Sequence, residues 1–283
     1  MIEMPVSKML NIGCGATNHP DWINLDVSPA DANVMAVDIN GGLPFSAEFA
    51  AICYSSHVLE HLDKAGACNL ISECFRVLKR GGVIRLVLPD LEALVREYLR
   101  VLDAVTSGDG TRELDYDWIM LELYDQAVRN FSGGEMARFL ANLKEKDRSF
   151  VRSRIGVEAE RFWVPKQARA RGYLLNSLVN RIPWGRLLKL SREKLAGWLV
   201  YLIAGKAAFR SFQVGMFRGS GEVHQWMYDR YSLGRLLEQA GFVNVKICAA
   251  NESRIPEYEK YSLDVLSGTI RKPDSLYLEA SKP

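Results

Sequence analysis

The sequence predicts an α/β protein: a doubly wound, mostly parallel sheet whose order is broken by a large helical insertion. Three observations carry this. Over the first hundred residues, short apolar runs alternate with helical patterns, as in successive βαβ units. From about Ser107 the alternation stops for roughly 115 residues rich in Arg, Trp, Tyr and Leu, and strand patterning resumes near Glu222. Between Phe150 and Arg218 stand 14 Lys/Arg against 3 Asp/Glu, so a chain of formal net charge +2 divides into a segment of +11 and a remainder of −9.

Taken in order, strands are expected at Lys8–Ile12, Trp22–Asp26, Val34–Asp38, Ala51–Ser55 and Val83–Leu88. A helix over Ala65–Leu78 carries Leu70, Ile71, Cys74 and Leu78 at helical spacing and is stopped by Gly81-Gly82. A second helix follows Asp90, a suitable N-cap, and runs through Leu91, Leu94, Val95 and Tyr98 toward Val105. Beyond the insertion, Ser232–Ala240 reads as a helix closed by Gly241, and strands follow at Val243–Ala249 and Leu276–Ala280. This division assigns 1–106 and 222–283 to one domain and 107–221 to a basic helical insertion.

Composition excludes several classes. The five cysteines are scattered and form no C-x-x-C pair, which argues for a reducing compartment and against a disulfide framework or structural zinc. No basic-then-apolar leader opens the chain, and the longest apolar run, Leu195–Ala204, is too short to span a bilayer. A cytoplasmic protein is expected. No group of His, Cys and Asp has metal-ligand spacing, so no metal is expected.

The first strand runs directly into Gly13-Cys14-Gly15, where missing side chains let backbone pass close to a ligand. A dinucleotide fingerprint would need a third glycine at position 18, which is Asn18, and an acid about 20 residues on. The acid here is Asp26, only 13 residues after Gly13 and at the end of the second strand. A carboxylate there can accept two hydrogen bonds from a ribose diol. Asp38 ends the third expected strand beside Ile39, a pairing that suits an adenine amino group and ring. Each acid alone reads equally well as a solvated turn residue. Together, at one edge of the sheet near a topological switch point, they point to adenosine.

The block Phe49-Ala50-Ala51-Ile52-Cys53-Tyr54-Ser55-Ser56-His57-Val58-Leu59-Glu60-His61-Leu62 resembles a fourth strand followed by an "LEH" helix start. Arg76-Val77-Leu78-Lys79-Arg80-Gly81-Gly82 resembles an "RVLKPGG" turn, and Leu237-Glu238-Gln239-Ala240-Gly241-Phe242 an "LL-x-x-AGF" helix end. These blocks are similar to those of class I S-adenosylmethionine-dependent methyltransferases, ubiquinone-type (type 11) group, over roughly residues 8–105 and 222–282. The resemblance implies a Rossmann-like sheet of seven strands with the last antiparallel, the insertion lying between strands five and six. It implies S-adenosyl-L-methionine as cofactor and S-adenosyl-L-homocysteine as product. Gly13, Cys14 and Gly15 would pass beside the methionine part and ribose, Asp26 with Val27 would hold the ribose, and Asp38 with Ile39 would meet adenine. Ser55, Ser56 and His57 would line the mouth near the methyl group. Three positions depart from the pattern: Asn11 replaces the common acid of strand one, Ala50 the Asp of strand four, and Arg80 the Pro of the turn. Asn11 still falls within the expected cofactor shell. Asp21-Trp22-Ile23-Asn24-Leu25-Asp26, His224-Gln225-Trp226-Met227-Tyr228 and Arg271-Lys272-Pro273-Asp274-Ser275-Leu276-Tyr277 further resemble bacterial methyltransferases associated with surface-glycan assembly.

Methyl transfer from a sulfonium is an in-line displacement, so the protein mainly aligns the acceptor and manages its proton. A hydroxyl acceptor benefits from a histidine base. Of the four histidines, His57 after strand four and His224 before Trp226 are the candidates, His61 is expected to order the loop, and His19 to lie at the rim.

Pro183–Phe217 sets Leu187, Leu188, Leu195, Trp198, Leu199, Leu202 and Ile203 at helical spacing, with Arg186, Lys189, Arg192 and Lys194 toward other faces. Two readings stay open: a helix packed on the core, and an interfacial helix at an anionic membrane surface. Nucleic acid ranks last, because no RNA-binding module accompanies the basic residues. The expected function is O-methylation of a sugar hydroxyl on a surface glycan or its lipid-linked precursor, at the inner membrane face. The alternatives are a small-molecule or natural-product methyltransferase with the insertion as lid, and a non-catalytic membrane-associated binding protein.

Overall fold

The computed structural model describes residues 8–29, 31–163 and 184–283, with only the backbone of Arg161 and of 184–191. Seven strands form one sheet: β1 (Met9–Ile12), β2 (Ile23–Asp26), β3 (Val34–Ala36), β4 (Ala50–Ser56), β5 (Leu78–Pro89), β6 (Val243–Cys248) and β9 (Ser275–Ser281). Their order is β3-β2-β1-β4-β5-β9-β6. The pairs β2–β3, β1–β2, β1–β4 and β4–β5 are parallel, whereas β9 runs antiparallel to both neighbours. The expected Rossmann-like sheet with its antiparallel last strand is thus present. The chain leaves β1 toward β2 on one side and reaches β4 on the other, which opens a crevice at the carboxyl ends of β1 and β4.

Central strands are apolar on both faces because both are covered, one by helices and the other by Trp22 with Ile255, Tyr258, Tyr261 and Leu263. Leu10, Ile12, Cys53, Ile84 and Leu86 are buried in one cluster with Leu70, Ile71 and Cys74 of α1 (Lys64–Val77). That helix begins at Asp63, whose side chain accepts from Gly66 N–H at 2.7 Å, and it buries Ala67, Leu70, Ile71, Cys74 and Val77 along one stripe. Its end corrects the sequence reading. Leu78 already pairs in β5, three residues before Gly81-Gly82, and those glycines lie inside the strand where the register against β4 shifts. α2 (Leu91–Thr106) starts at Asp90, which accepts from Ala93 N–H at 3.1 Å.

The insertion carries α3 (Glu113–Val128), α4 (Gly134–Asn142), α5 (Arg148–Ile155), α6 (Glu160–Trp163) and α7 (Trp184–Arg218). It has its own small core of Trp118, Met136, Leu140, Val151 and Ala159, joined to α2 through Leu94, Val101 and Ile119. Buried Glu122 is held by Arg154 at 2.6 Å and by Trp118 Nε1. α7 is two helical arms meeting at Gly205, whose φ of 79° and ψ of −176° are non-helical. The arms face each other through Tyr201 and Phe209, whose ring centroids are 5.9 Å apart. Pro183 and the side chains of Trp184, Arg186, Leu187, Leu188 and Lys189, parts of the expected amphipathic stretch, lie outside the described residues. The chain rejoins the sheet through α8 (Arg230–Gln239), opened by a reciprocal Asp229–Ser232 capping box and followed by Gly241 at φ +98°. A two-stranded hairpin of β7 (Val265–Leu266) and β8 (Thr269–Ile270) precedes β9 and is absent from the sequence-based expectation.

Candidate functional site

The Gly13–Gly15 turn is folded back over β2 by two hydrogen bonds, Gly13 and Cys14 N–H donating to the Leu25 carbonyl at 2.8 and 3.0 Å. Gly13 has φ +67°, and a Cβ there would stand 2.3 Å from Val58 Cγ2, so no larger residue fits without movement. Gly15, at φ +53°, faces open space where its Cβ would be. Its N–H donates to Asp26 Oδ2 at 2.8 Å, while Ser28 N–H donates to Oδ1 at 2.8 Å. Each carboxylate oxygen keeps a second lone pair. Asn11, 1% exposed, sends its side-chain amide to the Thr17 carbonyl and to Asn24 Oδ1, both at 3.0 Å. It thereby braces the turn from inside. Burial, with Asp26 and Asp31 behind it, pushes the Cys14 thiol up to about 11, so it stays protonated.

β3 ends at Ala36, two residues earlier than expected, so Asp38 caps a short 3-10 turn over Ile39–Gly41 instead of ending the strand. Its Oδ1 takes both the N–H and the side-chain amide of Asn40 at 3.0 Å. Val27 is 74% exposed beside Asp26.

A cavity of about 220 Å³ opens at the crevice. Asn11, Gly13, Cys14 and Gly15 form one wall, and Ser56 and His57 at the end of β4 form another. Asp26, Val27, Asp38, Ile39 and Ser55 stand outside it. Ser55 is 4% exposed and spends its hydroxyl on the Ile12 carbonyl at 3.1 Å, a bond that ties β4 to β1. The far wall was not foreseen: Leu263, Asp264, Arg271 and Lys272 come from the segment around the β7–β8 hairpin, and Glu158 from the insertion. The Arg271–Tyr277 block was visible in the sequence as a motif, but nothing local marked Glu158.

Asp264 does not face the cavity as a free acid. It accepts from Tyr54 Oη at 2.7 Å, Tyr258 Oη at 2.6 Å and Arg85 Nε at 2.8 Å. Arg85 is fully buried, donates to Glu279 at 2.8 Å and also reaches the carbonyls of Glu252 and Ala250. This network fixes the floor of the site.

Beside the cavity stand three histidines and one acid. His57 holds a left-handed backbone at φ +54°, uncommon for a residue with a side chain, and its N–H donates to the Val87 carbonyl at 2.8 Å. Its Nε2 lies 2.9 Å from Ser275 Oγ and its Nδ1 3.2 Å from Glu60 Oε1. Glu60 and His61 sit in the 3-10 turn Leu59–His61, where the "LEH" block falls. Burial pushes the Glu60 carboxyl up, but His57 and then His224 and His61 pull it down to about 2. Burial holds His61 below the usual imidazole range and takes His224 to about 3. The structure places His224 edge-on to His61, with ring centroids 4.7 Å apart, and off the 220 Å³ cavity. His57 therefore faces the cavity and His224 does not. His19 packs edge-on against Tyr261 at 5.1 Å.

No protein-family model matches the chain, and no curated protein matches it. Among solved structures it is similar to a SAM-dependent methyltransferase from Archaeoglobus fulgidus, at 14% identity and TM-score 0.38, covering 98% of this chain and 86% of that one. It is similar to the CurJ carbon methyltransferase at 9% identity and TM-score 0.37, covering 99% of this chain and 50% of that one. PKMT2 from Rickettsia typhi, solved with AdoHcy, is similar at 9% identity and TM-score 0.35, with 98% and 49% covered. The chain thus spans only about half the length of the last two.

Proposed function

We propose that this chain is an S-adenosylmethionine-dependent methyltransferase acting on a hydroxyl group of a glycan or of its lipid-linked precursor. The observation that carries the reading is the crevice at the β1–β4 switch point. There an open-sided glycine turn, hydrogen-bonded to the acid that ends β2, abuts a cavity bordered by His57. The residues fit the cofactor. Asp26 has lone pairs left for a ribose diol, Gly15 has no neighbour within 4 Å on its open side, and Asp38 has one carboxylate oxygen beyond its bonds to Asn40. When bound, S-adenosylmethionine supplies an activated methyl group and needs no further activation by the protein.

The chain's own part is then orientation and proton management. His57 is the base in this reading. Glu60, 3.2 Å from Nδ1, favours the tautomer with a proton there and leaves the Nε2 lone pair, now facing Ser275 Oγ, for an acceptor hydroxyl. The same carboxylate faces the imidazolium that forms.

The lipid-linked form of the acceptor is favoured by α7. Several of its described apolar residues face outward: Trp198 is 56%, Leu202 64% and Ile203 82% exposed, next to Lys194, Lys206 and Arg210. No described helix is long and apolar enough to cross a membrane, so the geometry fits a hairpin lying on an anionic surface. Incubation with labelled S-adenosylmethionine and separate glycan, lipid-linked and RNA fractions tests the reading. Label is expected in the lipid-linked or glycan fraction; incorporation only into RNA or only into free small molecules would overturn the substrate class.

A further inference from the structure

We infer that Glu60, His61 and His224 form a divalent-metal site of the two-histidine, one-carboxylate type, suited to Zn²⁺. The site shares Glu60 with the His57 pair at 3.2 Å but lies off the 220 Å³ cavity, and its metal-binding test does not depend on the methyltransferase reading. One ligand atom from each residue lies within 4.8 Å of the other two, although His224 is far from Glu60-His61 in sequence. A bound Zn²⁺ holds N and O ligands at about 2.0–2.2 Å, so its ligands stand about 3.3 Å apart in a tetrahedron. Closing to that spacing takes rotation of the imidazoles and the carboxylate through no more than about 1.5 Å.

The second observation is what these atoms lack. Glu60 is 1% exposed, yet its Oε2 has no hydrogen-bond donor, Oε1 has only His57 Nδ1 at 3.2 Å, and His61 Nδ1 is buried without a partner. Two orphaned buried polar atoms in one place, Glu60 Oε2 and His61 Nδ1, are rare in folded proteins, because each forfeits its solvation with nothing in return. A divalent cation bound by Glu60 Oε2 and His61 Nδ1 satisfies both at once.

The surroundings have the features of a supporting shell. The His61 imidazole lies against the backbone of Val223, the residue before His224, and keeps Nδ1 without a partner. The Glu60 carbonyl accepts from Gln225 and Trp226 N–H at 2.7 and 3.2 Å, and His224 N–H donates to the Gln126 carbonyl at 3.0 Å. The backbone is thus held rigidly around the three side chains. Two imidazoles and one carboxylate, with no thiolate among them, match the catalytic class of zinc ligand sets, which keep a fourth position for water. Bound there, the ion would clamp the 3-10 turn after β4 to the segment that returns from the insertion.

Chelator-treated full-length protein titrated with Zn²⁺ or Co²⁺ tests this. About one equivalent is expected, and the Co²⁺ form should show the visible bands of nitrogen and oxygen coordination with no sulfur charge-transfer band. His61→Gln and His224→Gln should each weaken binding by at least a hundredfold, since loss even of a supporting partner costs about 10–100-fold. Zn²⁺ should raise the Tm of the wild type and not of the variants. Uptake below one equivalent, a sulfur band that places the ion on cysteines, or folded variants with wild-type affinity would each overturn the inference. Should the variants fail to fold, the wild-type Co²⁺ spectrum and stoichiometry still decide it.

Discussion

At Gly13 a single methyl group separates an intact turn from a broken one. The turn is set by φ +67° and by Val58 at 2.3 Å from the missing Cβ. Gly13→Ala should destabilise the fold by roughly 1–3 kcal/mol and lose cofactor binding, measurable by chemical denaturation and calorimetry. Asp26 holds Gly15 N–H at 2.8 Å, and in the proposed function its remaining lone pairs take a ribose. Asp26→Ala should weaken S-adenosylmethionine binding about ten- to a hundredfold, since a hydrogen bond to a charged group contributes roughly 1.5–3 kcal/mol. His57→Ala should bind cofactor normally and slow the single-turnover chemical step by about 10²–10⁴-fold. A rate within a few fold of wild type would remove the base from His57. The turn and its acid were legible in the sequence because their chemistry is local. The separation of His224 from His57 was not. Neither local sequence says which side chain meets the cavity, and only the fold turns His57 toward it and His224 onto His61.

Among the elements, β5 shows most clearly what periodicity can and cannot reveal. Its apolar half, Val83–Leu88, was expected, but its start at Leu78 was not, because glycines at 81 and 82 read as a helix stop. Only pairing with β4 shows them to be a register shift within the strand. Arg85, in the middle of that apolar run, looks like a surface residue in sequence. It is fully buried because Asp264 and Glu279 arrive from distant segments to meet it at 2.8 Å. Arg85→Ala should destabilise the protein by about 3–5 kcal/mol, as removing one partner strands two buried carboxylates. Thermal or urea unfolding measures this. The β7–β8 hairpin escaped notice for a simpler reason: two strands of two residues each leave no alternation to detect.

Over the whole molecule, the charge division of +11 and −9 marks the segment that contains α7. Some of these cations serve the fold itself: Arg154 pairs with Glu122 at 2.6 Å and Arg152 with Glu160 at 2.7 Å. Others, including Arg192, Lys194, Lys206 and Arg210, are exposed along the helical hairpin with its apolar residues. The protein should bind anionic vesicles and not neutral ones. Each basic residue near such a surface contributes on the order of 1 kcal/mol, so changing those four to Gln should abolish vesicle sedimentation at physiological salt. Cofactor affinity should be unchanged. Equal binding to neutral vesicles, or none to either, would return α7 to the role of a lid.

The central claim is that the β1–β4 crevice holds S-adenosylmethionine, and calorimetry on the intact chain tests it most directly. The account predicts one site per chain for S-adenosylmethionine and for S-adenosylhomocysteine, each weakened about ten- to a hundredfold in folded Asp26→Ala. Absence of heat with both compounds, or an Asp26→Ala dissociation constant equal to that of the wild type, would contradict it.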